Sequence, residues 1–202
     1  MTQLQIPNQL IGITGGIGAG KSLVCEIFKV LGIPVFNADE TAKKLVETDA
    51  KLKSEIIKLL GNEAYSGEKY NRKFVSQKVF NESILLNQLD QLIHPKVREY
   101  AYEWFRIQKP SPYYLYEAAL MNAAGIGNVF NKIIVVQSPT FLRIERIKKR
   151  DQRPETEILA IINKQKTDEE RLKIANFVIY NDEKNSLIEQ VLKINNHLSQ
   201  LQ

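Results

Sequence analysis

Leu10 to Thr14 is a short apolar run that stops at a glycine cluster, and behind the cluster Leu23, Ile27, Val30 and Leu31 recur at helical spacing until Gly32. The pattern predicts strand, loop and helix in that order. Pro34 to Phe36 is the next short apolar stretch, and Tyr113 to Tyr116, Lys132 to Val136 and Phe177 to Tyr180 supply three more, each followed by a polar or helix-starting segment. Five strands alternating with helices predict an α/β fold built on a parallel sheet.

Between the second and third strands lie some 76 residues, 37 to 112, far beyond the dozen or so that a parallel crossover requires. The extra chain reads as helical. Leu52, Ile56, Leu59 and Leu60 make one apolar stripe, Val97, Ala101, Trp104 and Phe105 another, and Gly61 to Asn71 reads as a turn between helices. Trp104 and Phe105 therefore belong to the core. The expected organisation is one domain over 1–202, with a core of 8–39 and 109–202 and a helical insertion at 40–108 that covers a substrate. No internal repeat or linker marks a second independent domain.

Composition narrows the class only modestly. At 44% hydrophobic and 25% charged residues the chain sits near the globular average. Lys and Arg number 28 against 23 Asp and Glu, a net charge of +5 that favours anionic partners without distinguishing nucleic acid, membrane surface and phosphorylated metabolites. The single cysteine, Cys25, excludes an internal disulfide and points to a reducing compartment; on its predicted helix it reads as a buried small hydrophobe. There is no basic leader and no run of ~18 apolar residues, so the expectation is a cytoplasmic protein with no membrane segment.

The chemistry is concentrated in Gly15-Gly16-Ile17-Gly18-Ala19-Gly20-Lys21-Ser22, which fits G-x-x-x-x-G-K-[ST] between a predicted strand and a predicted helix. Glycines let the backbone wrap a phosphate with successive N–H groups pointing inward, and the following helix adds its positive end. Gly16, Ile17, Gly18, Ala19 and Gly20 would line the cradle. Lys21 would reach the β and γ phosphates, and the Ser22 hydroxyl would serve as a ligand to Mg²⁺. No G-x-G-x-x-G spacing can be drawn through these glycines, so a nucleoside triphosphate is expected and not a dinucleotide. A GTPase switch would need D-x-x-G and N-K-x-D, both absent; Asn163-Lys164-Gln165-Lys166 has lysine in place of the aspartate. A large motor or transporter ATPase would need a longer chain, which leaves small-molecule phosphoryl transfer in front.

Thr14 to Ser22, followed by Asn37-Ala38-Asp39, closely resembles the start of dephospho-coenzyme A kinases, whose pattern is T-G-G-I-G-S-G-K-S and then D-A-D. His94-Pro95, Arg146, Arg150, Gln165 and the segment from Ala175 to Asn181 extend the resemblance along the whole chain. It implies a three-layer P-loop kinase with an acceptor-binding helical insertion, an arginine-bearing lid near 143–170, and ATP-dependent phosphorylation of the 3′-hydroxyl of dephospho-coenzyme A with Mg²⁺. Asn37 departs from the first aspartate of D-A-D, Leu23 from a common threonine and Asn176 from the aspartate of A-D-x-V-I; Ala119 to Ala123 replaces P-L-L-x-E.

Several residues carry two readings. Asp39, just past the second strand, could accept the proton of an attacking hydroxyl or hold a metal-bound water, and could equally serve in the first turn of a helix beginning near Asn37. The resemblance favours the base role. Arg143, Arg146 and Arg150 recur along one helical face that would ordinarily be solvated, with a Glu145–Lys149 pair beside them; the resemblance places Arg146 and Arg150 over the transferring phosphoryl group. His94 precedes Pro95 and reads as an extended junction between helices, structural by itself and facing the acceptor by resemblance. Glu117 ends the third strand, either as a partner of metal-bound water or as the cap of a turn at Ala118 to Met121. The alternatives are another nucleotide or small-metabolite kinase, and a basic P-loop ATPase acting on nucleic acid, which lacks any supporting RNA or recognition-helix motif. A monomer is the expected state.

Overall fold

The computed structural model describes residues 9–80, 82–119 and 130–200. Five parallel strands form the sheet in the order β2-β5-β1-β6-β7, with β1 Leu10–Gly15, β2 Val35–Asn37, β5 Tyr114–Glu117, β6 Lys132–Gln137 and β7 Phe177–Tyr180. All five predicted strands are present. Their register places Ile13 beside Glu117 on one side and Ile134 on the other, which aligns the carboxyl ends of β1 and β5. Chain order reverses about β1, which leads towards β2 on one side while β6 leads to β7 on the other. A ligand crevice is expected at such a switch point.

Alternation along the strands sorts the core into two layers. Ile11, Ile13, Val35, Leu115 and Ile134 pack on α1 (Lys21–Val30) and α9 (Leu187–Ser199) through Val24, Phe28, Val191 and Leu198. Leu10, Phe36 and Tyr116 point the other way. They meet α2 (Ala38–Thr48), α3 (Ala50–Leu60) and α5 (Ser83–Arg106) through Leu45, Leu52, Val97 and Phe105. The apolar stripes read in the insertion are therefore the faces by which it seats on the sheet. Trp104 and Phe105 stack around Phe36, in the core as expected. Cys25 is buried, and burial pushes its thiol pKa up, so it is an inert hydrophobe.

Two local expectations change. Gly61 to Asn71 is more than a turn: a 3-10 segment, Asn62–Ala64, leads into a hairpin of β3 (Tyr65–Ser66) and β4 (Lys69–Tyr70), and α4 (Arg72–Val79) follows. Tyr65 donates to the Val46 carbonyl at 2.6 Å, which ties the hairpin to α2. His94 is not an extended junction, since α5 runs unbroken through Pro95. Proline removes one amide donor there, but Leu89 before it and Val97, Ala101 and Phe105 after it are buried on the same core, and that packing carries the helix across. The turn expected from Ala118 to Met121, and the departures at Asn122 and Ala123, fall outside the described residues beyond Ala119.

Candidate active site

The glycine-rich loop joins β1 to α1 as its spacing predicts. Gly18 and Gly20 take positive φ, 75° and 90°, and a Cβ on Gly20 would collide with the Asn181 side chain. Asn181 in turn donates to the Ala19 carbonyl at 2.9 Å. Ile17, within the loop, is held at both its N–H and its carbonyl. The Ile17 N–H donates to Gln165 Oε1 at 2.9 Å, and the Ile17 carbonyl accepts from Arg143 Nε at 2.9 Å. Arg143 is 3% exposed, with Asp168 3.4 Å from its Nη1. Burial lowers its pKa, and the Asp168 charge opposes the shift. This overturns the reading of Arg143 as part of a solvated stripe. Turning α6 (Thr140–Asp151) so that Leu142 and Ile147 are buried drives Arg143 under the loop with them.

Arg146 and Arg150 point differently. Both border a cavity of about 190 Å³ together with Gly16, Gly18, Lys21 and Ser22. Arg146 donates to Ser138 Oγ at 3.0 Å and the Asn181 carbonyl at 3.2 Å, while Arg150 is exposed and forks onto neighbouring Asp151 at 2.7 and 2.8 Å. Arg146 is thus preset beside the loop, and Arg150 is held by a local carboxylate at its rim. The Lys21 ammonium donates to the Gly15 carbonyl at 3.0 Å; burial lowers its pKa, opposed by the charges of Asp39 and Glu117.

Glu117 faces Ser22 and Asn37, while the turn that its capping reading needs runs beyond the described residues. The glutamate is 4% exposed, one oxygen accepting from Ser22 Oγ at 3.1 Å and the other from Asn37 Nδ2 at 2.8 Å. Burial raises its pKa, and nearby Lys21 holds the rise back. Asn37 is bifunctional: its Oδ1 also accepts from the Glu40 N–H at 2.9 Å, capping α2. One amide thereby aligns a buried carboxylate and sets the helix turn that carries Asp39. Asp39 is an exposed first-turn residue, as its structural reading expected, and it borders a second cavity of about 210 Å³ with Ala42, Asp90, His94, Tyr116 and Ala118. His94 and Asp39 are therefore brought together. His94 Nε2 lies 3.8 Å from Asp90 Oδ1; burial lowers the histidine pKa and raises that of the aspartate.

Asp90, Ser138 and Arg171 were not singled out from the sequence, and Arg143 was noted there only as part of a solvated face. Gln165 was noted without a role. Arg171 is buried against Asp168 at 2.9 Å and reaches Gln165 at 3.3 Å, so it supports the group that holds Ile17. The Ser22 hydroxyl and the Glu117 carboxylate, 3.1 Å apart, are oxygen donors of the kind Mg²⁺ takes.

A glycine-rich loop ending in Lys21, at the point where a five-stranded parallel sheet reverses its winding, defines a P-loop fold, and the solved structures it matches include P-loop kinases. Shikimate kinase from Bacteroides thetaiotaomicron shares this fold at 13% identity, with a TM-score of 0.56 over 94% of this chain and 98% of that one. Within that class the chain belongs to the dephospho-CoA kinase family, whose sequence model matches residues 9–186. Dephospho-CoA kinase from Bacteroides fragilis (strain YCH46) is 37% identical over 184 residues, 91% of this chain and 90% of the relative. Among solved structures, TT1252 from Thermus thermophilus is 28% identical with a TM-score of 0.83, covering 98% of this chain and all of that one. Dephospho-CoA kinase from Campylobacter jejuni, also 28% identical, aligns over 95% of this chain and 97% of that one with a TM-score of 0.67. The resemblance read from Thr14–Ser22 and Asn37–Asp39 is borne out, and family membership decides against the nucleic-acid ATPase that net charge had left open. Among the described residues, no helix is long and apolar enough to cross a membrane.

Proposed function

We propose that this chain transfers the γ-phosphoryl group of ATP to the 3′-hydroxyl of dephospho-coenzyme A, giving coenzyme A and ADP. The observation that carries the reading is that Asp39, on the insertion cavity, stands near enough to Lys21 of the phosphate nest for its charge to oppose the lowering of the ammonium's pKa. Loop amides and the Lys21 ammonium hold the polyphosphate. Asp39 orients the hydroxyl and takes its proton as the new oxygen–phosphorus bond forms and the bond to the ADP oxygen breaks. Arg146 stabilises charge on the equatorial oxygens from its fixed position; Arg150 joins once it leaves Asp151. His94, buttressed by Asp90, borders the acceptor nucleoside. Ser22 would hold Mg²⁺ directly, with Asp39 and Glu117 acting through water. When bound, that ion neutralises charge on the β and γ phosphates.

The 40–108 insertion is the acceptor-binding part in this reading, residues 143–170 the lid, and 8–39 with 109–202 the nucleotide core of one domain. The enzyme works as a cytoplasmic monomer. A coupled ADP-release assay with dephospho-coenzyme A, with and without Mg²⁺, tests the reaction. The expected product is heavier by one phosphate. Release of ADP without that mass change, or preference for AMP, CMP or a ribosyl metabolite, would refute the acceptor.

A further inference from the structure

The terminal nitrogens of Arg146 have every hydrogen engaged. An arginine side chain offers one N–H on Nε and two on each terminal nitrogen. Nη1 donates to Ser138 Oγ at 3.0 Å and to the Asn181 carbonyl at 3.2 Å, and Nη2 donates to Asn181 Oδ1 and to Glu183 Oε1, both at 3.3 Å. Yet Arg146 borders the nucleotide cavity with Lys21 and Ser22. A phosphate oxygen there can receive a terminal N–H only by displacing one of these acceptors.

The acceptors are not equally replaceable. Ser138 and Asn181 are buried, and Asn181 is also tied to the Gln137 carbonyl at 2.8 Å and to the Ala19 carbonyl of the loop at 2.9 Å. The Glu183 side chain is 66% exposed, so water solvates it readily once it lets go. It is also the anion among them, and therefore the one most like a phosphate oxygen. Its backbone sets it apart as well. Glu183 has φ 64°, in the left-handed region that glycine enters freely and a residue with a Cβ enters at a cost. A turn imposes that angle: Asp182 Oδ1 accepts the N–H groups of Lys184 and Asn185, both at 3.0 Å, and Asp182 Oδ2 accepts from Asn185 Nδ2 at 2.8 Å. Glycine would satisfy the turn without strain, but would bring no carboxylate to Arg146. Arg150, at the same cavity, is likewise held by a carboxylate, that of Asp151.

We infer that the Glu183 carboxylate stands in for a phosphate oxygen of ATP: it occupies Nη2 of Arg146 until the nucleotide displaces it, and by competing for that nitrogen it sets the affinity for ATP. Glu183 is a positioning residue, since it acts on the nucleotide only through Arg146. The inference rests on the proposed placement of Arg146 against the phosphates and adds the exchange of partners that this placement requires. Two consequences follow from the exchange. Arg146 meets the phosphate already extended, with Ser138 and Asn181 keeping their hold. The nucleotide must also compete with an anion carried by the same chain, so its apparent affinity is reduced by the fraction of molecules in which Glu183 holds Nη2.

The test is a double-mutant cycle on the equilibrium binding of a non-hydrolysable ATP analogue with Mg²⁺, followed by titration calorimetry on the full chain. Glu183→Gln keeps the size of the side chain and removes its charge; the Kd for the analogue is expected to fall about threefold, the range of an exposed ion pair. Glu183→Gly, which removes the carboxylate altogether, should tighten binding at least as much. In an Arg146→Met background the competitor has nothing to hold, and Glu183→Gln should then change the Kd less than about 1.5-fold. An unchanged or weaker Kd in Glu183→Gln overturns the exchange. An equal gain in the Arg146→Met background overturns it too, because the carboxylate would then act through the general surface field and not through Arg146. The readout involves no acceptor: a wild-type enzyme that shows this cycle but does not phosphorylate dephospho-coenzyme A overturns the proposed reaction and leaves the exchange standing.

Discussion

Arg143→Met tests whether the loop is shaped in part from below. The variant keeps most of the buried side-chain volume and removes the guanidinium. Three contributions set the expected magnitude. The charged donor to the Ile17 carbonyl, at 2.9 Å, is of the kind that contributes about 1.5–3 kcal/mol. The pair with Asp168, at 3.4 Å and with that carboxylate 41% exposed, adds at most a few tenths, ~0.5 kcal/mol, because water screens it. Against these, burial of the cation opposes its charge and is relieved by methionine, as the lowered Arg143 pKa indicates. The net loss of stability is therefore about 1–2 kcal/mol, which for a domain of this size lowers the thermal midpoint by roughly 2–8 °C. With its carbonyl released, Ile17 is restrained only through Gln165, and ordering the loop falls to the nucleotide. The KM for ATP should rise by roughly 5–30-fold, the equivalent of the same 1–2 kcal/mol. Thermal unfolding by circular dichroism and steady-state kinetics at saturating acceptor measure the two numbers. A lowered midpoint with an unchanged KM for ATP would show that Arg143 supports the fold and does not shape the loop; no change in either would refute the energetic account altogether.

Lys21→Ala should reduce turnover by about 10²–10³-fold or more with no loss of thermal stability, since it removes a buried charge as well as a donor; appreciable residual turnover contradicts its role. Asp39→Asn should lower kcat by about 10²–10⁴-fold with little change in nucleotide affinity, and a KM effect alone would reassign it to binding. Asn37→Asp places a second carboxylate where an amide now donates to Glu117 at 2.8 Å. The pair's folded-state pKa is raised above its unfolded value, as burial already raises that of Glu117, so the pair's stabilising contribution is complete below the ordinary carboxylate range and is lost as pH rises through the raised value. Unfolding midpoints should therefore fall relative to wild type at neutral pH and converge with it near pH ~4. A constant difference across pH would refute the shared-proton account.

The loop and the five strands were legible because their determinants are local. A G-x-x-x-x-G-K-[ST] run requires positive φ where Gly18 and Gly20 stand, and short apolar runs between breakers leave few options besides buried strands. Asp39 was placed for the same reason: its distance from the end of β2 and the helix start at Asn37 lie within a few residues of one another. The insertion's stripes were readable too, although its hairpin was not, since Tyr65 is fixed by a carbonyl nineteen positions away.

What the chain order could not disclose is which of three similar arginines would turn inwards. Arg143, Arg146 and Arg150 share one spacing, yet Arg143 reaches Ile17 across 126 positions while Arg150 grips its immediate neighbour. Only the burial of one face of α6, which takes Arg143 inwards with Leu142 and Ile147, separates them. Gln165 on Ile17 and Asn181 on Ala19, at separations of 148 and 162, belong to the same group of contacts. Local sequence therefore determined that a phosphate-binding loop exists and where it lies, because backbone conformation is a property of neighbours. Tertiary structure decided what holds that loop and which side chains share the cavity at Asp39, because those depend on the packing of helices that lie far apart along the chain.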